Sequence, residues 1–278
     1  MAFSNADIML LRTKSGAGIV DCKKALTATN GDIEKAIETL RKKGLADLAK
    51  RAGRVTTEGV VSVKASADGS KVAMANLSCE TDFVAKTPDF QKTAAEIADY
   101  VYNNPSDGDY TGDTKVTGMV TAVASKVGEN MGLKGAVCMR AGKNGVVGYY
   151  VHTDNKKGAV IELTAEGISN TEGVLKVCRS LAMQAVAMSP RWVRREDVPA
   201  DIIAKEREIY SEQARTQGKP EAAIVKMLEG RVRKFYEEVC LLDQASITDS
   251  KMSVNDYVGK LAAELGGKLN VVRFVKFG

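Results

Sequence analysis

Apolar residues recur along this chain with two different periods, and the change from one to the other marks its organisation. Up to residue 54 the spacing is helical. Ile8 and Leu11 open a first helix that runs to Thr13 and is stopped by Ser15-Gly16-Ala17-Gly18. Two glycines in four residues disfavour helix by about 1 kcal/mol each and permit a tight turn. Ile19, Cys22, Ala25 and Leu26 predict one face of a second helix that ends near Asn30-Gly31. In the third, Ile33, Ala36, Ile37 and Leu40 fall at i, i+3, i+4 and i+7. Asp32 stands at its start, Arg41, Lys42 and Lys43 at its end, and Gly44 in the place of a left-handed cap. Leu45 to Arg51 reads as a further helix or a linker, with Gly53 at a boundary. Three helices of this size bury a small core, which suits a docking piece.

Beyond residue 54 the period drops to two. Gly59-Val60-Val61-Ser62-Val63, the turn Asp68-Gly69 and Val72-Ala73-Met74-Ala75-Asn76-Leu77 predict a β-hairpin. The plan recurs further on as Gly145-Val146-Val147-Gly148-Tyr149, Asp154-Asn155 and Ala159-Val160-Ile161-Glu162-Leu163. Each hairpin leads to a helix. Phe90, Ala94, Ile97, Ala98 and Val101 stripe the first, ahead of Pro105. Leu175, Cys178, Leu181, Ala182 and Val186 stripe the second, ahead of Pro190. Two related β-β-α units side by side predict an α+β core, and Asn270 to Gly278 reads as a closing strand.

The copies part at the connection from strand to helix. The first reads Cys79-Glu80-Thr81-Asp82-Phe83-Val84-Ala85-Lys86-Thr87-Pro88, the second Ala165-Glu166-Gly167-Ile168-Ser169-Asn170-Thr171. Thr87 is placed to cap a helix beginning at Pro88, which leaves Asp82-Phe83-Val84 on a connection, where binding groups gather. Phe83 either folds back under the helix or stands out from it; local pattern leaves both open.

Composition narrows the chemistry. The 278 residues suit two or three compact units, and no apolar run reaches membrane-spanning length. The first seven residues lack the basic head and apolar middle of a signal peptide. Five cysteines without a CxxC pair fit thiols in a reducing cytoplasm better than disulfides or a zinc site. With one histidine, a His-based metal cluster is excluded, and only His152 is available for a nucleophile–base pair. No GxxxxGK[ST] loop is present, so a P-loop nucleotide site is not expected. Paired carboxylates stay open as acid/base candidates, because 35 Asp and Glu are too many to sort by counting. Residues 1–54 hold 11 Lys and Arg against 6 Asp and Glu, which is the whole net charge of +5. A basic head of this kind contacts RNA or an acidic protein surface, or is simply a solvated helix face.

At Thr81-Asp82-Phe83-Val84-Ala85-Lys86 the sequence resembles the elongation factor Ts family, the nucleotide exchange factors for the GTPase elongation factor Tu. Ser15-Gly16-Ala17-Gly18, Asp21-Cys22-Lys23-Lys24-Ala25-Leu26 and Asn30-Gly31-Asp32-Ile33-Glu34-Lys35-Ala36-Ile37 resemble that family as well. So do Gly218-Lys219-Pro220, Met227, Glu229-Gly230-Arg231 and Lys234-Phe235.

The resemblance implies a ubiquitin-associated-like three-helix head over residues 1–54 and one core subdomain over 55–140. A second would be built from 141–190 and 240–278, with a helical hairpin inserted at 191–239. Ile224, Leu228, Val232, Phe235 and Val239 have the spacing of the hairpin's second arm; a nucleic-acid patch at Arg231, Arg233 and Lys234 is the lesser reading.

By the same resemblance, Thr81, Asp82, Phe83 and Val84 form the element that dislodges Mg2+ from the GTPase. Phe83 would enter an apolar pocket near the switch helix, with Asp82 hydrogen-bonding beside it and Thr81 and Val84 shaping the connection. Other contacts would disturb the phosphate-binding loop. Arg12, Gly16, Ala17 and Gly18 match head positions that touch the GTPase, and His152 matches a histidine placed towards it. No catalytic activity, cofactor, bound metal, nucleotide site, nucleic acid or membrane partner is implied, and the expected location is the cytoplasm. Competing readings are an RNA- or ribosome-binding protein using the basic head, and a carboxylate hydrolase. Two departures stand out: Ser15 replaces a common threonine, and the chain closes on a strand where some relatives continue into a C-terminal helical module.

Overall fold

The computed structural model describes residues 3–106, 110–218 and 220–278. They form two compact units, Met1–Lys64 with Ala73–Cys138, and Ala65–Val72 with Met139–Gly278.

The first unit opens with three helices: α1 (Asn5–Ser15), α2 (Ile19–Ala28) and α3 (Ile33–Arg51). Ser4 and Asp7 cap α1 reciprocally, and Gly16 ends it in the left-handed region at φ 70°, donating its N–H to the Arg12 carbonyl. Ile8, Leu11, Cys22, Ala25, Leu26 and Ala36 close the small core. Ile19, expected on that core face, is exposed instead, because the second helix starts there and turns its first residue to solvent.

Strands β1 (Glu58–Ala65) and β2 (Lys71–Cys79) follow, then the one-turn helix α4 (Asp82–Ala85), α5 (Pro88–Asn103), α6 (Thr114–Val127) and β3 (Met131–Arg140). The strands form one sheet in the order β1-β2-β3. Leu77, Phe90, Ala94, Ile97, Val101, Val116 and Ala124 pack its core, joining α5 and α6 to the sheet.

The expected stop of the third helix at Gly44 is overturned: α3 runs on to Arg51. Its glycine serves close approach rather than termination, because a Cβ on Gly44 would lie 2.7 Å from Ser125 Oγ on α6. The segment left open between helix and linker is therefore helix.

The second unit repeats the plan. Strands β4 (Gly145–Val151) and β5 (Gly158–Glu166) lead to α7 (Thr171–Met188); later come α10 (Val254–Glu264) and β6 (Lys268–Phe277), with β5 central between β4 and β6. Gly148 pairs with Ile161, and an irregularity beside Glu162 shifts the β5–β6 register. Val146, Ile161, Leu163, Val177, Leu181 and Val258 build the core beneath α7 and α10. Each unit thus reads β-β-α, then α-β. Sequence pattern revealed only the first half of that repeat, apart from the closing strand.

Between α7 and α10 the chain makes the antiparallel pair α8 (Ala200–Thr216) and α9 (Glu221–Val239). Ala214, Ile224, Val232 and Phe235 are buried along it. Backbone bonds from Arg191 and Trp192 to the Val239 carbonyl close its base. Arg231 lies over the Tyr210 ring at 5.9 Å, a contact internal to the hairpin. Lys219, of the Gly218-Lys219-Pro220 match, falls outside the described residues.

Candidate functional site

The connection that separates the two copies is a turn of helix with opposite faces. Thr81 is its N-cap, extended in backbone, and its hydroxyl accepts the Val84 N–H at 3.4 Å. Successive side chains on a helix point about 100° apart, so one turn can present Phe83 and Val84 to different environments. Val84 and Ala85 are buried in the core with Phe90, whereas Phe83 is 80% exposed. The question left open by pattern is thereby answered: Val84, not Phe83, is the residue that folds back. Asp82 Oδ2 accepts from Lys86 Nζ at 2.6 Å on the outer side.

The turn ends where the next helix begins. Thr87 accepts the Phe90 N–H and donates its hydroxyl to the Val84 carbonyl at 2.8 Å, welding α4 to α5. Behind it, Cys79 Sγ donates to the Thr81 carbonyl at 3.2 Å. Burial, with the negative charges of Glu129 and Glu58, pushes the Cys79 thiol up to about 12, so it stays a neutral donor near neutral pH.

Other predicted site residues lie elsewhere. Arg12 is exposed on α1, and Gly18 has open space where a Cβ would stand. Gly16 and Ala17 are half-buried. The Lys126 side chain on α6 lies 3.1 Å from where a Gly16 Cβ would be, and the Ala17 carbonyl accepts from Cys22 Sγ at 3.6 Å. Lys126 also pairs with Asp89 in the first turn of α5, so contacts run from the head turn to the helix that follows Phe83. His152 belongs to the second unit, exposed just after β4, with Nδ1 3.0 Å from the Tyr150 hydroxyl.

Sequence pattern missed two groups. Glu129, between α6 and β3, accepts three hydrogen bonds from Glu80 and Thr81; nothing local signals a contact across 48 positions. Met9, Leu10, Ile19 and Val20 are exposed apolar residues on the head. For Met9, Leu10 and Val20 the signal was present, since they fall off the apolar face of their helices. Among the described residues no group of His, Cys, Asp and Glu could hold a metal ion, and no helix is long and apolar enough to cross a membrane.

Comparison with known proteins gives the class to which this doubled β-β-α…α-β core, with its three-helix head and turn-borne aromatic, belongs: the translation elongation factors. The family model described as Elongation factor TS matches residues 80–278. An elongation factor Ts of Trichlorobacter lovleyi is 38% identical, the match covering 100% of this chain and 92% of that one. One from Clostridium botulinum is 40% identical over 96% of this chain and 89% of its own. Another, from Prosthecochloris aestuarii, is 39% identical over 99% and 97%. The chain belongs to the elongation factor Ts family.

Proposed function

We propose that this protein is a guanine-nucleotide exchange factor, which binds elongation factor Tu in its GDP form and promotes GDP release during protein synthesis in the cytoplasm. The observation that carries this reading is Phe83, an aromatic ring held in solvent on a turn whose following residues are anchored in the core. An exposed ring on a fixed base is suited to entering an apolar pocket of a partner, with Asp82 at its side for a polar contact. The intrusion displaces the elements that hold Mg2+, contacts elsewhere disturb the phosphate site, and the nucleotide leaves. The factor performs no covalent chemistry.

Magnitudes divide the labour. Burying a phenylalanine yields about 1.5–3 kcal/mol, whereas nanomolar nucleotide binding represents about 12 kcal/mol. Phe83 therefore triggers release, while contacts from the head (Arg12, Gly16, Ala17, Gly18) and from the second unit (His152) supply most of the differential binding.

The test follows release of fluorescent GDP from elongation factor Tu. Phe83→Ala is expected to slow factor-stimulated release by about ten- to a hundredfold, the equivalent of one buried ring. Release at the wild-type rate would show that the ring does not enter the partner.

A further inference from the structure

The turn that carries Phe83 is tied down by a carboxylate far from it in sequence. Glu129 Oε2 accepts the Glu80 N–H at 3.1 Å and the Thr81 N–H at 3.0 Å, and Oε1 accepts the Thr81 hydroxyl at 2.6 Å. The tie is reciprocal. Glu80 accepts the Asn130 N–H at 2.6 Å and faces Arg54 at 3.4 Å, while Asn130 Nδ2 donates to the Arg54 carbonyl at 2.7 Å. Gly128, left-handed at φ 87°, turns the chain out of α6 so that Glu129 points back at the connection.

An ionised carboxylate is acceptor-only, and its hydrogen bonds are shorter and stronger than neutral ones. All three donors here belong to the two residues that immediately precede Asp82 and Phe83. Donating its proton to Glu129 orients the Thr81 hydroxyl, whose oxygen is left to accept the Val84 N–H. One carboxylate thus sets both the backbone path into the turn and the side-chain cap that starts it.

We propose that Glu129 is a positioning residue for nucleotide release: it fixes the Thr81–Val84 turn in the free protein, so that Phe83 is aimed before the partner arrives. The proposal rests on the exchange reading above. A group ordered beforehand loses less freedom on docking, and the benefit falls on the step the ring drives. Glu129 touches neither partner nor nucleotide, and acts only through Thr81 and the ring.

Five full-length proteins decide it: wild type, Glu129→Ala, Phe83→Ala, the double variant of these two and Glu129→Gln as control, in the GDP-release assay at saturating factor. Glu129→Ala is expected to lower the maximal release rate about tenfold, the scale of lost charged hydrogen bonds, with the half-saturating concentration changed by less than about twofold. Glu129→Gln, whose carbonyl still accepts the two amides, restores most of that loss. In the Phe83→Ala background Glu129→Ala costs little further, because there is no ring left to aim. Amide hydrogen exchange at Thr81 rises in Glu129→Ala and not in Glu129→Gln.

Equal losses from Glu129→Ala in both backgrounds, or unchanged exchange at Thr81, would overturn the positioning role while leaving the exchange reading intact. Wild-type release by Phe83→Ala itself would overturn the exchange reading, and the positioning role with it.

Discussion

Cys178 lies fully buried on α7, and burial pushes its thiol up to about 12. A folded-state value above the ordinary 9.0 means that the native protein holds this proton more tightly than the unfolded chain does. The contribution to stability is therefore complete below pH 9 and is lost as pH rises towards 12, at about 1.4 kcal/mol per pH unit for one such thiol. Urea denaturation between pH 8.5 and 11 is expected to show a shallower decline in Cys178→Ala than in the wild type; parallel curves would show that the buried thiol is not what titrates. At the same scale, Phe83 illustrates what sequence holds and what it withholds. That a Thr-Asp-Phe-Val segment interrupts an otherwise repeated plan is legible in the residues. Which of two adjacent apolar side chains faces inward is decided by the packing of Val84 and Ala85 with Phe90, and this has no local signature.

Between elements, spacing is set by residues that lack side chains. Gly148 on β4 lies so close to α7 that an added methyl would run into the Cβ of Cys178. Gly148→Ala is expected to destabilise the protein by about 1–3 kcal/mol, the usual cost of overpacking, read as a lower urea midpoint. An unchanged midpoint would mean that the helix yields. Gly44 belongs to the same category, and it explains why a glycine read as a stop lies within a helix: its neighbour Ser125 comes from a distant segment. Helix α6 escaped the sequence reading for a related reason. Its Thr114, Val116, Thr117, Val120, Thr121, Val123 and Val127 are β-branched and weak helix formers. The Asp113 cap, accepting at 2.8 and 3.0 Å, and burial of Val116, Val123 and Ala124 hold it as helix.

For the whole molecule, the duplicated architecture was legible through its hairpins, whose turns Asp68-Gly69 and Asp154-Asn155 place Gly69 and Asn155 at positive φ. Of the returning halves, only the closing strand β6 was legible; α6, β3 and α10 became visible only in the folded structure. The basic head was legible as charge, but its chemistry was not. Lys14, Lys35, Lys42, Lys43 and Lys50 each pair with an acid of the same head, which weakens the case for a phosphate-binding face. If the protein works by exchange, linkage binds its two ligands together. The factor by which it weakens GDP on elongation factor Tu must equal the factor by which GDP weakens its own binding. Calorimetric titrations around the four-state cycle are expected to close on one coupling value; a cycle that fails to close would rule out simple reciprocal coupling.

The tie between Thr81 and Glu129 has an outcome during synthesis. The aromatic residue leaves the ribosome well before the carboxylate that steadies it, since Glu129 follows Thr81 by 48 positions. On the exchange reading, a nascent or prematurely ended chain carries a loosely hung ring, poorly suited to entering its partner. On that reading, aim is acquired only once the chain has been made as far as Glu129, at the approach to the third strand of the first sheet.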